Sequence, residues 1–594
     1  MEPSSQHDQQ RGRHGHRRSR RRWMVLAAVV VLAAAAVSAW LVTSWLDTYR
    51  RAEALRTQVS ILRDAVNAQE WAVLASGLPA ARAAADSLQA GTDGVPWRLL
   101  GGVPVVGGTA RALGVLAESS AGLLGAAEPL TPYSEQILSN GLRREDGAID
   151  VDAIAQAAPL LARLSTAANQ AVARLGSVDA EAIRPEVGVP LAELRDELAG
   201  IAPTLSGAAE AAARAPALLG ADGERTWLVL LQNPAEARGT GGFPGGYVAI
   251  AANDGALSVR GAGTSSDLNS QPIPDAGADP DAREMWGDYL TQWNTANMSP
   301  HFPVIGRLAA DAMAARGQAV DGVVALDPAT VAALLSVTGP VEFAGRVITA
   351  ENAVDFFTVG VYADYPDKVE RDEVTMGIVG AVLTSFLSAE WDPVDLVDAL
   401  EGPVSQGRVR AWSADVAEEQ WLASTSLGGV VPDTPGPVIA VAFNNAAGNK
   451  MDAFVSAAVQ YRPGTCPMNT RQESALSVTL ANDAPAVLPA DGTAYGRADD
   501  PTAPAGSTRL LVHVYAPVGA EFQAATIDGA PATLYAGRER NRPVWWTYIT
   551  LERGQETRID VQFAEPSVVG PAPEVLPQGM VIDEQISIVP DPGC

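Results

Sequence analysis

The longest unbroken apolar pattern in the chain runs from Trp23 to Leu46, 24 residues without a charge. At ~1.5 Å per residue a helix of that length crosses a ~30 Å hydrocarbon core. Trp23 stands at one end, with Trp40 and Trp45 near the other, as interfacial anchors do. From 47 to 218 the pattern is Ala-rich with helical spacing. Leu191, Leu194, Leu198, Ile201 and Leu205 follow a 3-4-3-4 rhythm, as do Leu161, Leu164, Ala168, Ala171 and Leu175. Such seams pack against other helices. Breaks at Gly91–Gly94, Gly101–Gly108, Gly141–Gly147 and Pro185–Pro190 predict a bundle of about four helices. The bundle reads as a sensor or partner-binding stalk, or as a spacer. Its GGVPVVGG segment (Gly101–Gly108) is apolar enough to touch lipid, and it also suits a simple turn.

The period changes at Glu224. Arg225 to Leu231 is a short apolar run of strand type. Tyr247–Ala252 and Ala256–Arg260 flank Asn253-Asp254-Gly255, a hairpin signal. Val320–Leu326 and Pro340–Phe343 read as strands, and Pro328–Leu335 and Glu370–Leu387 as helices. Mixed elements in this order predict an α/β core. From about 450 alternating runs take over: Phe454–Tyr461, Ala475–Leu480, Thr508–Tyr515, Trp545–Leu551 and Thr557–Phe563, divided by Pro, Gly and Asp turns. They predict a β-sandwich. The expected fold class is therefore multidomain α+β. Its parts are a basic tail (1–22), a transmembrane helix (23–46), a helical bundle (47–218), an α/β core (219–448), a β-sandwich (449–565) and a C-terminal tail (566–594).

Charge sharpens this division. Residues 1–22 hold seven Arg and two acids, a balance of +5, while the whole chain of 594 residues carries −27. Arg before the span predicts a cytoplasmic N-terminus and an extracytoplasmic body, a single-pass cell-membrane protein. A cleaved signal peptide is the competing reading, and the length of the apolar run favours the retained anchor. The strongly acidic body excludes a nucleic-acid partner, whose phosphates require a basic face. Five His and two Cys speak against multi-ligand zinc sites. Both cysteines, Cys466 and Cys594, fall in the exported part, where a bridge is permitted. Closing so long a loop stabilises by up to ~5 kcal/mol in the chain-entropy model. Two unpaired thiols are the alternative. Lys is rarer still: Lys368 and Lys450 are the only two, against 40 Arg.

One stretch concentrates candidate chemistry. Leu230 to Tyr247 (LLQNPAEARGTGGFPGGY) leaves an apolar run, presents Asn233, Glu236 and Arg238, and passes through five Gly, among them Gly241 and Gly242. Successive Gly allow backbone N–H groups to converge on an anion, and Arg adds a bidentate donor. The competing reading is tight turns with Arg238 paired to Glu236. No Walker A or GxGxxG pattern is present. No GxSxG is present either, so a Ser-His-Asp hydrolase built on His301 is disfavoured. Trp286, Tyr289 and Trp293 sit in a polar loop, where they would stack on sugars or pin the loop to the core.

NPAEARGTGGFPGGY, VDGVVALDPATVAALLSVTGPVEF and ITAENAVDF, with Tyr362 and Arg371 further on, resemble an uncharacterised family of exported bacterial membrane proteins. It is the domain of unknown function four-thousand-and-twelve, and the resemblance covers about 90–460, including Asn449-Lys450. It implies a membrane-anchored envelope protein. The order of strands, Arg loop and Arg-bearing helix is also similar to the LytR-CpsA-Psr phosphotransferases, which move glycopolymers from a polyprenyl pyrophosphate carrier to peptidoglycan with Mg²⁺. That similarity implies ligand-binding roles for Arg238, Arg260 and Arg371, and metal-binding roles for Asp267 and Asp321. Asn294, Asn297 and Asp327 match its middle segment. Gly239 and Thr240 stand where that family has an acid. Three functions are consistent with these residues. The first is an envelope protein that binds or helps assemble glycopolymers or their polyprenyl-pyrophosphate carriers. The second is an active metal-dependent glycopolymer phosphotransferase. The third is a non-catalytic scaffold.

Overall fold

The computed structural model describes residues 15–589 apart from 69, 104–105, 134–141, 180–182, 275–278, 390, 465–469, 489–491 and 569–571. Side chains before residue 36 also lie outside the description. So does the candidate Cys466–Cys594 bridge, both of whose residues are among the undescribed ones. The chain forms two compact units: 1–142 with 152–215, and 143–151 with 216–594.

The first unit is helical. Gly15–Asn67 is one continuous helix, followed by Trp71–Thr92, the short Val95–Gly101, Gly107–Ala127, Val151–Gly176 and Pro185–Leu218. The expected span Trp23–Leu46 lies inside the first of these, for the most part among undescribed side chains. Among the described residues no helix is long and apolar enough to cross a membrane. The seam at Ala168, Ala171 and Leu175 is fully buried, and Leu175 meets Leu191 and Ala112. The second seam drifts. Ile201 is 49% exposed while Ala202 and Ala209 take the buried positions. A strict 3.5-residue repeat slips by ~20° per heptad on a straight helix, so small residues rotate into the interface.

The second unit starts from a five-stranded sheet. Its strands are β1 (Arg225–Arg238), β2 (Gly241–Asn253), β3 (Ala256–Thr264), β4 (Gly322–Leu326) and, after the small hairpin β5–β6 (Val341–Phe343, Arg346–Ile348), β7 (Arg410–Ser413). The order is β3-β2-β1-β4-β7, with β1 and β4 parallel and the other pairs antiparallel. The turn between β2 and β3 falls on Asp254 and Gly255, both at positive φ, as the Asn-Asp-Gly signal requires. Period two along β1 sends Leu228 and Leu230 into one core and Val229 into another. Helix Phe302–Ala315 covers the first face. Helices Pro328–Thr338 and Lys368–Ser388 cover the second.

Two sheets of a β-sandwich complete the unit. One has the order β14-β15-β11-β8-β17 and the other β13-β12-β16-β10-β9-β18. Here β8 is Val438–Asn445, β9 Val455–Arg462, β10 Arg471–Asn482, β11 Thr508–Tyr515, β12 Glu521–Ile527, β13 Ala530–Pro531, β14 Tyr535–Glu539, β15 Arg542–Leu551, β16 Glu556–Pro566, β17 Glu574–Leu576 and β18 Gln585–Ile588. The sequence division differs from this in two places. Strand β8 lies before the expected boundary at 448 yet belongs to the sandwich. It is buried on both faces, with Ile439, Val441 and Phe443 in the sandwich core and Ala440 and Ala442 in the core shared with the α/β sheet. A strand buried on both sides loses the alternation that marks its neighbours. The segment read as a tail, 566–594, with one strand candidate at Met580–Val589, supplies β17 and, within that candidate, β18, which pair in parallel with β8 and β9.

Candidate functional site

A cavity of about 360 Å³ opens at the carboxyl ends of the parallel strands β1 and β4. Open α/β sheets bind ligands at this end, because the chain leaves the strands there and the loops diverge. Leu231, Asn233 and Glu236 of β1 and Phe243 and Gly246 of β2 form its floor, joined by Leu326, Asp327 and Val331. Lys368, Arg371, Asp372 and Met376 reach in from the long helix, and Lys450 from the turn after β8.

The charged groups are arranged in layers. At the back, Arg238 Nη2 donates to Glu236 Oε1 at 2.7 Å, and Lys450 Nζ contacts the other oxygen of the same carboxylate. Burial alone would push Glu236 up, but Lys450 and Arg238 overcome it and hold the carboxyl at about 2. Lys450 is held above its ordinary value: burial disfavours its charge, and Glu236 more than compensates. Its ammonium lies 5.2 Å from the Phe243 ring and 5.8 Å from the Tyr362 ring. Tyr362 is fixed from behind, where Asn233 donates to its hydroxyl at 3.1 Å and to the Phe357 carbonyl at 3.0 Å. Burial raises the Tyr362 phenol. Arg371 stacks over the same ring at 5.1 Å and donates to the carbonyls of Tyr365 and Pro366. Lys368 bridges Asp372 and Ser266 at 2.7 Å each. The apolar part of the lining is made by Leu231, Leu326, Val331, Val361 and Val379.

Of the seven ligand candidates, Arg371, Asn233 and Glu236 line this cavity. Arg238 does not. It is 5% exposed and consumed by Glu236 and by the carbonyls of Ala237 and Asn294. It acts on the cavity only through Glu236. Arg260 is exposed on β3 and pairs with Glu224 at 2.6 Å. The predicted glycine loop is instead the end of the β1–β2 hairpin, with the turn at Gly239-Thr240. Gly241 and Gly242 are not among the residues lining the cavity, and Gly242 permits close packing. A Cβ on Gly242 would fall 2.2 Å from the Asn233 carbonyl carbon. Gly242→Ala is therefore expected to destabilise by about 1–3 kcal/mol in urea unfolding, whereas a purely ligand-binding glycine would leave stability unchanged.

The metal candidates separate. Asp267 closes a capping box with Thr264, accepting its N–H at 2.7 Å. Asp321 accepts from the Thr226 N–H at 2.7 Å, at the other end of β1. Strand register puts Thr264 level with Gly246 and Leu231, five residues from Thr226, which is roughly 17 Å along the strand. The two carboxylates do not share one ion. Among the described residues no group of three or more His, Cys, Asp or Glu is placed to hold a metal. The aromatic loop pins itself to the core. Trp286 donates to Glu539 and Trp293 to the Pro244 carbonyl, both rings being buried, and Tyr289 stays outside. His301 is buried and accepts from the Val431 N–H, with burial holding its imidazole down at about 3.

Lys368, Lys450, Tyr362 and Asp372 were not among the expected site residues. One signal in the sequence marks two of them: a chain that uses Arg for nearly every cation has only two Lys, and both line this cavity. Arg would not substitute freely at the inner position, because a compact ammonium fits between two rings and a carboxylate where a planar fork does not. No curated protein and no solved structure matches the chain. Residues 222–362, which run from the start of β1 through Tyr362 and so include the floor of the cavity, match the family described as "Protein of unknown function (DUF4012)".

Proposed function

We propose that the protein is anchored by Trp23–Leu46 in the cell membrane with its body outside, and that the cavity binds an anionic amphiphile. The ligand class is that of polyprenyl-phosphate or -pyrophosphate carriers, on which envelope glycopolymers are assembled. One observation carries this reading. Lys450, Lys368 and Arg371 converge, in a chain of net charge −27, on a cavity that Leu231, Leu326, Val331, Val361 and Val379 also line. The lining holds three cations and three acids, Glu236, Asp327 and Asp372, but Glu236 is shared between Lys450 and Arg238, Asp327 is paired from behind by Arg408, and Arg371 is held by carbonyls, so Arg371 is left to meet an anion. Cations of this kind form charge-assisted bonds to phosphate oxygens, and the apolar part of the lining takes the first part of a chain. The phosphotransferase reading is not favoured, since the acids proposed for Mg²⁺ sit roughly 17 Å apart along β1.

Binding of a short-chain polyprenyl pyrophosphate to the detergent-solubilised protein tests the proposal. Lys368→Met and Arg371→Met are each expected to weaken it about tenfold, ~1.4 kcal/mol. Inorganic pyrophosphate, which lacks the chain, should bind more weakly than the lipid. Absence of binding by the wild type, or binding indifferent to both substitutions, sinks the assignment.

A further inference from the structure

We propose that helix Val95–Gly101 lies in the outer membrane–water interface beside the N-terminal helix, with Val95, Leu99 and Val103 immersed in lipid. The inference rests on the reading of Trp23–Leu46 as an anchor and adds a second point of attachment to it.

Level along the first helix decides the matter. Gly15–Asn67 is unbroken, so each residue's height follows from a ~1.5 Å rise. The uncharged run ends at Leu46, and Asp47 is the first charge after it. The Trp45 indole stacks on Trp97 with centroids 5.5 Å apart and planes at 19°. Leu41 packs against the same cluster, which contains Trp97, Leu100, Ala110 and Leu113. Trp97 therefore sits beside the last turn of the apolar run, below Asp47. An element held at that height next to a membrane span is in the interfacial layer, where Trp is at home.

The outward face of the short helix agrees. Val95 is 54% exposed, Leu99 51% and Val103 39%, while Trp97 and Leu100 face inward. On the first helix Val37, Trp40, Val42 and Leu46 are likewise exposed, so the two apolar faces lie at one level. Arg98 is the only charge from Val95 to Ala110, and a long Arg beside a span reaches for headgroups. The Trp97 N–H is satisfied internally by the Ala110 carbonyl at 2.9 Å, so the ring enters an apolar layer without an orphan donor. In water these side chains would remain hydrated. In lipid each is removed from water, as in a monotopic helix.

The test uses the full-length chain in phosphatidylglycerol–phosphatidylcholine nanodiscs, with Cys466 and Cys594 changed to Ser. Nitroxides are placed by Leu99→Cys and Val103→Cys, with Val42→Cys as the control in the span and Thr166→Cys as the control in the bundle. Oxygen is expected to relax the labels at 42, 99 and 103 several-fold more than a water-soluble nickel chelate does, with the reverse order at 166. Lipid-like behaviour at 42 with water-like behaviour at 99 and 103 overturns the interfacial helix and leaves the anchor standing. Water-like behaviour at 42 removes both. Dipolar broadening between copies at 99 would give the face to a second chain and equally overturn the proposal.

Discussion

Arg408→Met is expected to destabilise the second unit by about 3–5 kcal/mol, read as a loss of urea midpoint at unchanged slope. The guanidinium is almost wholly buried and engages four oxygens. It donates to Asp327 at 2.6 Å, to Gln406 at 2.9 Å, to the Met580 carbonyl at 2.5 Å and to Asp583 at 2.6 Å. Asp327 is as buried as Arg408, with 4% of each side chain exposed. Its other oxygen caps helix Pro328–Thr338 through the Thr330 N–H. Methionine keeps the packing of the stem but leaves that carboxylate charged and unpaired in the interior. The double variant Arg408→Met/Asp327→Asn should recover a large part of the loss, since Asn still caps the helix and no charge is stranded. If the double variant is as unstable as the single one, the destabilisation lies in the released C-terminal segment at Met580 and Asp583 and not in the ion pair.

That interaction also shows what could be read from the sequence and what could not. Asp327 enters the sequence reading only through the phosphotransferase resemblance, although Asp before Pro at the start of an apolar helical run also carries the local chemistry of a cap. Arg408 was invisible, because its partners come from a cap 81 residues earlier and a strand connection some 175 residues later. The hairpin at Asn253-Asp254-Gly255 and the strand Thr508–Tyr515 were legible for the opposite reason, being fixed by local turn chemistry and alternation. Of the two readings of the glycine stretch, an anion nest and tight turns, the hairpin end fits the second. Composition reports that backbone must come close to something, and here the something is Asn233 and Met298 of the protein itself. In the same way Arg238, a candidate anion donor with pairing to Glu236 as the competing reading, takes the pairing: the carboxylate two residues away satisfies it. The site became visible only when tertiary structure brought Lys450 across from the turn after β8.

Glu236→Gln separates the structural from the binding role of that lysine, and the pH dependence of stability gives its sign. The folded carboxyl titrates at about 2 against an ordinary value of 4.5, because Lys450 and Arg238 outweigh burial. A carboxyl depressed by folding contributes its full stabilisation above the unfolded value and loses it as pH falls through the folded one. The wild type should therefore lose on the order of 3 kcal/mol between about pH 4.5 and 2 from this group, and Glu236→Gln should lack that part of the acid limb. At neutral pH the variant is expected to be less stable by a similar amount, on the order of 3–5 kcal/mol, because two buried cations share one missing partner. An anion entering the cavity restores that partner for Lys450. A short-chain polyprenyl pyrophosphate should consequently raise the melting temperature of Glu236→Gln more than that of the wild type. In Lys450→Met it should raise it least, since Glu236 then keeps Arg238 but faces the ligand without a cation between them. Equal ligand-induced shifts in all three proteins would mean that Lys450 serves only to neutralise Glu236, and that the anion, if it binds, binds elsewhere.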